Sequence, residues 1–265
     1  MDTRRYLKRI LFTGKLNTTL TTLQQLQHHH LFSVPFEDLD IFYGIPVALN
    51  TDAFYKKIVL NNRGGYCYEL NGLFYLLLKK AGFHVNMISA RFVHANGKLS
   101  PEFDHMALLV VIDNTNWLVD VGFGDFSLVP LQIKTGLSQK DGRNTYLISD
   151  YTTPKDEKYF SVGRWQEAKK AFIPQYIFSL QSYRLEDFAA MNQYQQTSSH
   201  SHFVKNLMCS LPTDKGRTSI INNRLIETIG HKKKPTNITS EAYKDELLKE
   251  YFAIDFTIPE ACVAR

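Results

Sequence analysis

A chain of 265 residues, 44% hydrophobic and 22% charged, has an ordinary soluble globular composition and enough length for a sizeable core, which excludes a disordered or collagen-like chain. The formal net charge of +5 is mild, and "HKKK" (His231 to Lys234) is the only dense basic run. A nucleic-acid binder would carry a stripe of such runs interleaved with aromatics, so this one reads as a solvated loop, or secondarily as an attraction for an anionic cofactor.

Cys67, Cys209 and Cys262 are far apart and odd in number. They predict neither a disulfide framework nor a zinc site, and they fit a reducing cytosol. "MDTRRYLKRILF" lacks a signal-peptide core, and the longest apolar run, "MALLVVI", is too short to span a bilayer. A soluble, cytoplasmic protein is expected.

In chain order, "TTLTTLQQLQHHHLF" carries Leu20, Leu23, Leu26 and Leu31 at helical spacing, with Thr18 or Thr19 as cap. His28 to His30 read as its polar end; adjacent helix positions diverge, so three consecutive histidines do not converge on a metal. "SVPFEDLDIFYGIP" is broken by Pro35, Gly44 and Pro46 and reads as loop. A second helix is expected near Thr51 to Leu60, capped by Thr51-Asp52. After Gly64-Gly65, residues Leu70, Leu73, Phe74, Leu77 and Leu78 share one helical face, with Gly82 as the stop. Cys67 falls in the first turn of that helix, facing inward at the positive end of its dipole.

From Phe83 the texture turns β-like. "VNMISARFV", "HMALLVVI" and "NWLVDVGFG" are separated by turn signals at "ANGK" and "DNTN". Phe83 to about Asp187 is read as a mainly antiparallel sheet or barrel. The tail mixes short strands with a helix at "TSEAYKDELLKEYF", which opens on a cap of the S/T-x-x-E kind.

A thiol with an ordinary pKa near 8.5 is a poor nucleophile at neutral pH, but a helix N-terminus and an adjacent imidazolium can bring it to about 3.5–7.5. Cys67 has the first by position. His105 begins an apolar strand, and Asp120 is a lone acid inside another, where an unpaired carboxylate costs several kcal/mol. A turn at Asn114-Thr115 puts the two on one face but four residues out of register, roughly 13 Å along the strand. Spacing therefore permits a Cys-His-Asp arrangement without establishing it, and Cys67 as an inert core filler stands level with Cys67 as a nucleophile.

The segment Arg63-Gly64-Gly65-Tyr66-Cys67-Tyr68-Glu69 resembles the RGGxCxE signature of the arylamine N-acetyltransferases. "VPFEDLD" is similar to that family's IPFENL stretch, with Asp38 where asparagine is usual, adding a charge near the site entrance. "HM" (His105, Met106), "VDVGFG" (Val119 to Gly124), "SHF" (Ser201 to Phe203) and "LPTDKGR" (Leu211 to Arg217) resemble later motifs in the same order. The resemblance is to the bacterial type and thins after about Gly230.

It implies an α+β architecture: a helical bundle over 1–82 carrying the cysteine, an antiparallel β-barrel over 83–187 carrying the histidine and aspartate, and an α/β lid over 188–265, around a papain-like core. It implies a triad of Cys67, His105 and Asp120 that moves an acetyl group from acetyl-CoA, as the acyl-donor substrate, to an arylamine or arylhydrazine through an acetyl-cysteine. No metal, nucleic acid or membrane partner is expected. By resemblance Phe36, Phe123 and Phe203 line the aromatic cleft, while Val93 and the Gly124 backbone meet the CoA arm. The same three phenylalanines serve equally as plain core aromatics.

The Cys67 N–H is a candidate oxyanion donor, with the Phe103 or Tyr68 backbone as the second. Arg63 reads as a structural anchor toward Glu37. Glu69 complements the helix dipole and has no chemical role. The rival readings are a papain-like or transglutaminase-like hydrolase or amide synthase using the same three residues, and a silent binding module.

Overall fold

The computed structural model describes residues 1–230 and 232–258; Cys262 and His231 lie outside them. The N-terminal part is helical: α1 (Thr3–Arg9), α2 (Leu20–Ser33), the short α3 (Leu39–Phe42) and α4 (Thr51–Tyr55), and α5 (Cys67–Lys80). α2 is capped by Thr19, whose hydroxyl accepts from Thr22 N–H. The cap of α4 is Asn50 rather than Thr51-Asp52, its side chain accepting from Ala53 N–H. α4 then runs into a π-helical turn over Lys56–Leu60. α5 buries Leu70, Leu73, Phe74, Leu77 and Leu78, each worth about 1.5–3 kcal/mol of apolar burial, and ends before Gly82, whose φ of +93° suits glycine.

The histidine run is not the polar end of α2. His30 is fully buried, its Nδ1 bonded to the Tyr6 hydroxyl at 2.9 Å, and burial pushes its pKa down to about 3. His28 stacks on Phe32, and His29 Nδ1 meets the Ile10 carbonyl.

Eight antiparallel strands follow: β2 (His84–Phe92), β3 (His105–Ile112), β4 (Thr115–Val119), β5 (Leu131–Gln132), β6 (Ser138–Lys140), β7 (Thr145–Thr152), β8 (Lys158–Gln166) and β9 (Ala171–Tyr183). Together with β1 (Phe36–Glu37), the remaining strands β10 (Met208–Thr213), β11 (Gly216–Ile221), β12 (Arg224–Ile229) and β13 (Lys232–Asn237) make a second sheet. The first sheet has the order β5-β4-β3-β2-β9-β8-β7-β6 and the second β1-β10-β11-β12-β13. The first curls until its edges nearly meet. There the Gln139 side chain on β6 exchanges two hydrogen bonds, 2.7 and 2.9 Å, with the main chain of Gln132 on β5.

α6 (Ala189–Thr197), α7 (His202–Lys205) and α8 (Glu241–Phe252), capped by the Ser240 hydroxyl, complete the fold. The expected α+β class, with helices, a barrel-like antiparallel sheet and a further α/β part, is what the chain adopts. The three lysines of "HKKK" are not loop: Lys232–Lys234 open the edge strand β13, and exposed lysines there discourage edge-to-edge pairing. Among the described residues no helix is long and apolar enough to cross a membrane.

Candidate active site

The "VPFE" stretch sets the position of the cysteine. The loop before α5 lies against β1: Glu37 N–H donates to Gly65 O at 2.9 Å, and Gly65 N–H to Pro35 O at 3.4 Å. A Cβ on Gly64 would stand 2.1 Å from the Pro35 carbonyl oxygen, so only glycine permits this approach. Below the loop lies a buried charge cluster. Arg63 pairs with Glu37 and Asp40 at 2.8 and 2.9 Å, and Lys57, on the π turn, reaches Asp40 and Glu69 at 2.8 and 2.9 Å. Arg63 thus anchors Glu37 as the sequence suggests, and Asp40 as well. Glu69 Oε2 also accepts from Tyr66 N–H at 3.1 Å, capping α5 at the residue before Cys67. Burial pushes the Glu69 carboxyl up to about 7, against the pull of Lys57.

His105 and Asp120 meet because the β3–β4 hairpin turns one residue earlier than the sequence suggests. The turn residues are Asp113 and Asn114, with φ of +48° and +58°, the backbone of a two-residue hairpin turn that Asp and Asn tolerate. Leu108 then pairs with Val119. This places Asp120 two residues, not four, from His105 on the same face, a diagonal of about 7–8 Å that side chains cross. His105 Nε2 and Asp120 Oδ2 stand 2.7 Å apart, both buried.

Asp120 is a fully engaged carboxylate. Oδ2 also accepts from the Tyr176 hydroxyl at 3.1 Å, while Oδ1 accepts from Asn71 Nδ2 and Gly122 N–H, each at 2.9 Å. Asn71 stands one helical turn after Cys67. It donates to Met106 O at 2.7 Å as well, and its Oδ1 accepts from Val121 N–H at 3.0 Å. One side chain thereby ties the cysteine's helix to both strands. Gly122 closes the contact: a Cβ there would lie 2.8 Å from Cys67 Cα.

Cys67 is 3% exposed. With Nε2 committed to Asp120, Nδ1 is the ring nitrogen left for the sulfur; among the described residues no hydrogen bond yet joins them. The helix start does not by itself make a thiolate. Burial pushes the Cys67 thiol well up, the backbone N–H groups of Met106 and Tyr68 pull it down, and the carboxylates of Asp104 and Asp120 push it up again. Phe103 N–H donates to Ser89 Oγ at 2.8 Å and Tyr68 N–H is turned to the Cys67 sulfur, so both suggested second oxyanion donors are already used.

A family described as N-acetyltransferase matches residues 19–261. The chain belongs to the arylamine N-acetyltransferase family. It is 34% identical to the arylamine N-acetyltransferase of Mycolicibacterium smegmatis, over 85% of this chain and 82% of that one. It is 32% identical to human arylamine N-acetyltransferase 2, over 82% and 79%. Its fold superposes on the Mycobacterium marinum arylamine N-acetyltransferase solved in complex with CoA with a TM-score of 0.87, at 28% identity, covering 96% and 93% of the two chains. Members of this family transfer acetyl groups, and this chain is an enzyme of that class.

The remaining sequence candidates disperse around the site. The Phe123 ring packs edge-on against His105 at 5.6 Å, and Phe36 and Phe203 lie 6.4 Å apart, with Phe203 also against Tyr66. Gly124, at φ +91°, sits over the Phe36 ring. Phe123 and Gly124 line a cleft of about 590 Å³ between the barrel and the second sheet, with Arg164, Lys215, Arg217 and Lys233 but also Asp125 and Asp214; Cys67, His105 and Asp120 are not in its lining. Val93 is not part of that cleft; its N–H pairs with Gln175 O.

Asp38 is not a charge at the entrance. It is buried under β10, where Oδ1 accepts from Met208 N–H at 2.7 Å and Oδ2 finds no partner among the described residues. Burial pushes its carboxyl well up, toward the neutral acid. Sequence reasoning passed over Asn71, Tyr176 and Phe92, whose ring lies 5.5 Å from both His105 and Phe123. Asn71 had a signal, being a polar residue four after Cys67 on an otherwise apolar face. Tyr176 had none among 14 tyrosines.

Proposed function

We propose that Cys67, His105 and Asp120 carry the acetyl transfer by a two-step exchange through an acetyl-cysteine. The observation that supports this most is the 2.7 Å His105–Asp120 pair, tied through Asn71 to the helix that starts at the buried Cys67. Because burial holds the lone thiol protonated, the sulfur becomes nucleophilic only as His105 Nδ1 takes its proton. Asp120 fixes the ring and supports the imidazolium. The sulfur then attacks the acetyl carbon of acetyl-CoA. The Cys67 N–H, unpaired by the helix at its first turn, is the donor offered to the developing oxyanion.

CoA leaves with the proton returned from His105. An arylamine or arylhydrazine enters among Phe36, Phe123 and Phe203, and His105 accepts its proton as nitrogen attacks the thioester. The basic residues at the far end of the cleft suit the CoA phosphates, and Phe123 and Gly124 lead from there toward the sulfur.

A cysteine hydrolase could use the same three groups. The near-complete covering of Cys67 favours transfer, since water is kept from the thioester. Measuring free CoA released from acetyl-CoA with and without an arylamine separates the two. Transfer predicts a single-turnover burst that becomes continuous only when the amine is present. Equal steady rates in both conditions would reject it.

A further inference from the structure

α5 begins without a cap from its own first residue. The N-cap is Tyr66, whose hydroxyl donates to Asn192 on α6 and makes no bond to the helix start. The peptide units around the nucleophile are held one after another. The Gly65–Tyr66 peptide is fixed at both poles: Gly65 O accepts from Glu37 N–H at 2.9 Å, and Tyr66 N–H donates to Glu69 Oε2 at 3.1 Å. The Tyr66–Cys67 peptide is fixed at one pole, with Tyr66 O accepting from Leu70 N–H at 3.0 Å. Its other pole, the Cys67 N–H, makes no hydrogen bond among the described residues. A glutamate reaching back from the third helical position is usually half of a reciprocal pair with a serine or threonine at the cap; Glu69 does this alone. Its carboxylate is buried, and Oε2 is itself held by Lys57 Nζ at 2.9 Å. It also lies tight on the loop, since a Cβ on Gly65 would stand 2.9 Å from Oε2.

Resting on the acetyl-transfer reading, we propose that Glu69 is a positioning residue: by holding the Gly65–Tyr66 peptide it keeps the next N–H, that of Cys67, aimed at the oxygen on which negative charge develops. A planar peptide released at one pole turns as a unit about the dihedrals beside it, and a donor turned away from the oxyanion no longer stabilises it. Glu69 acts through the backbone and touches neither substrate nor sulfur. Lys57 sets the carboxylate in place.

Two reactions of Cys67 separate this role from a general loosening of the site. Acetylation by 4-nitrophenyl acetate passes through a tetrahedral oxyanion and releases 4-nitrophenolate. Alkylation by iodoacetamide displaces iodide at a saturated carbon and forms no oxyanion. Both are timed on wild type, Glu69→Ala and Glu69→Gln, with Cys67→Ser as the blank. The alanine variant leaves Glu37 and Asp40 to balance Lys57 and Arg63, two acids for two cations. It should acetylate about tenfold more slowly, yet alkylate at close to the wild-type rate. Glu69→Gln keeps the length and an oxygen for Tyr66 N–H, and should recover most of the acetylation rate. If the alanine variant does not fold, Glu69→Asp, whose reach is shorter, takes its place with the same expectation. Unchanged acetylation in the shortened variant, or both reactions slowed alike, would overturn the proposal. A wild-type Cys67 that alkylates but is never acetylated would overturn the acetyl-transfer reading, and this proposal with it.

Discussion

Asp120 illustrates how much one side chain can carry. Its oxygens accept from His105, Tyr176, Asn71 and Gly122. In Asp120→Asn one oxygen can still serve Asn71 and Gly122, but the amide then donates toward His105 Nε2. That forces the proton onto Nδ1, the nitrogen that the proposed transfer needs as base. The variant should fold and lose about 10³- to 10⁴-fold in the rate of Cys67 acetylation, read by quenched-flow mass measurement; near-normal rates would remove Asp120 from the chemistry.

Asp38 gives the opposite case, a buried acid with an unpartnered oxygen. Its folded-state pKa lies above the unfolded value of 3.8. The stability that goes with the neutral carboxyl is therefore complete below that value and is lost as pH rises through the folded one. Asp38→Asn keeps the acceptor for Met208 N–H without this loss. The urea midpoint of the variant should exceed that of wild type near neutral pH, and the gap should close as pH falls toward about 4. An equal gap at both would mean that the charge is not the cause.

Among the elements, the loop before Cys67, the π turn and β1 are held by three carboxylates, Glu37, Asp40 and Glu69, and two cations, Lys57 and Arg63. Burial lowers the pKa of Lys57, but the surrounding carboxylates more than reverse this and raise it. Lys57→Met leaves those acids with Arg63 alone, and unfolding in urea should show a loss of about 3–5 kcal/mol; a change under 1 kcal/mol would mean that the cluster relaxes. The helix at Cys67 was readable from its leucine spacing and the preceding glycine pair. The existence of the β3–β4 hairpin was readable from its apolar runs. The closeness of His105 to Asp120 was not, because it turns on the positive φ of Asp113 and Asn114, a one-residue choice that "DNTN" leaves open. The burial of His30 and Asp38 was hidden for a related reason: polar side chains enter a core when a distant segment, Tyr6 or β10, supplies the cover.

Across the whole molecule, the barrel and the second sheet are clamped by Asp125, which pairs with Arg164 at 2.9 Å and with Arg217 at 3.3 Å. The cleft between them opens on Lys215 and Lys233, both exposed. Their replacement by alanine should cost little stability. The double variant should raise the KM for acetyl-CoA about tenfold with kcat nearly unchanged, and should flatten the dependence of KM on salt. An unaltered KM would place the phosphates elsewhere.

In the proposed transfer the Cys67 sulfur itself holds the acetyl group between donor and acceptor. Intact-mass measurement after brief exposure to acetyl-CoA, without amine, tests it most directly. One acetyl group is expected on the wild-type chain, removed on adding an arylamine, and none on Cys67→Ser. An unmodified wild type that still produces acetylated amine, or acetylation of Cys67→Ser at the wild-type rate, would contradict it.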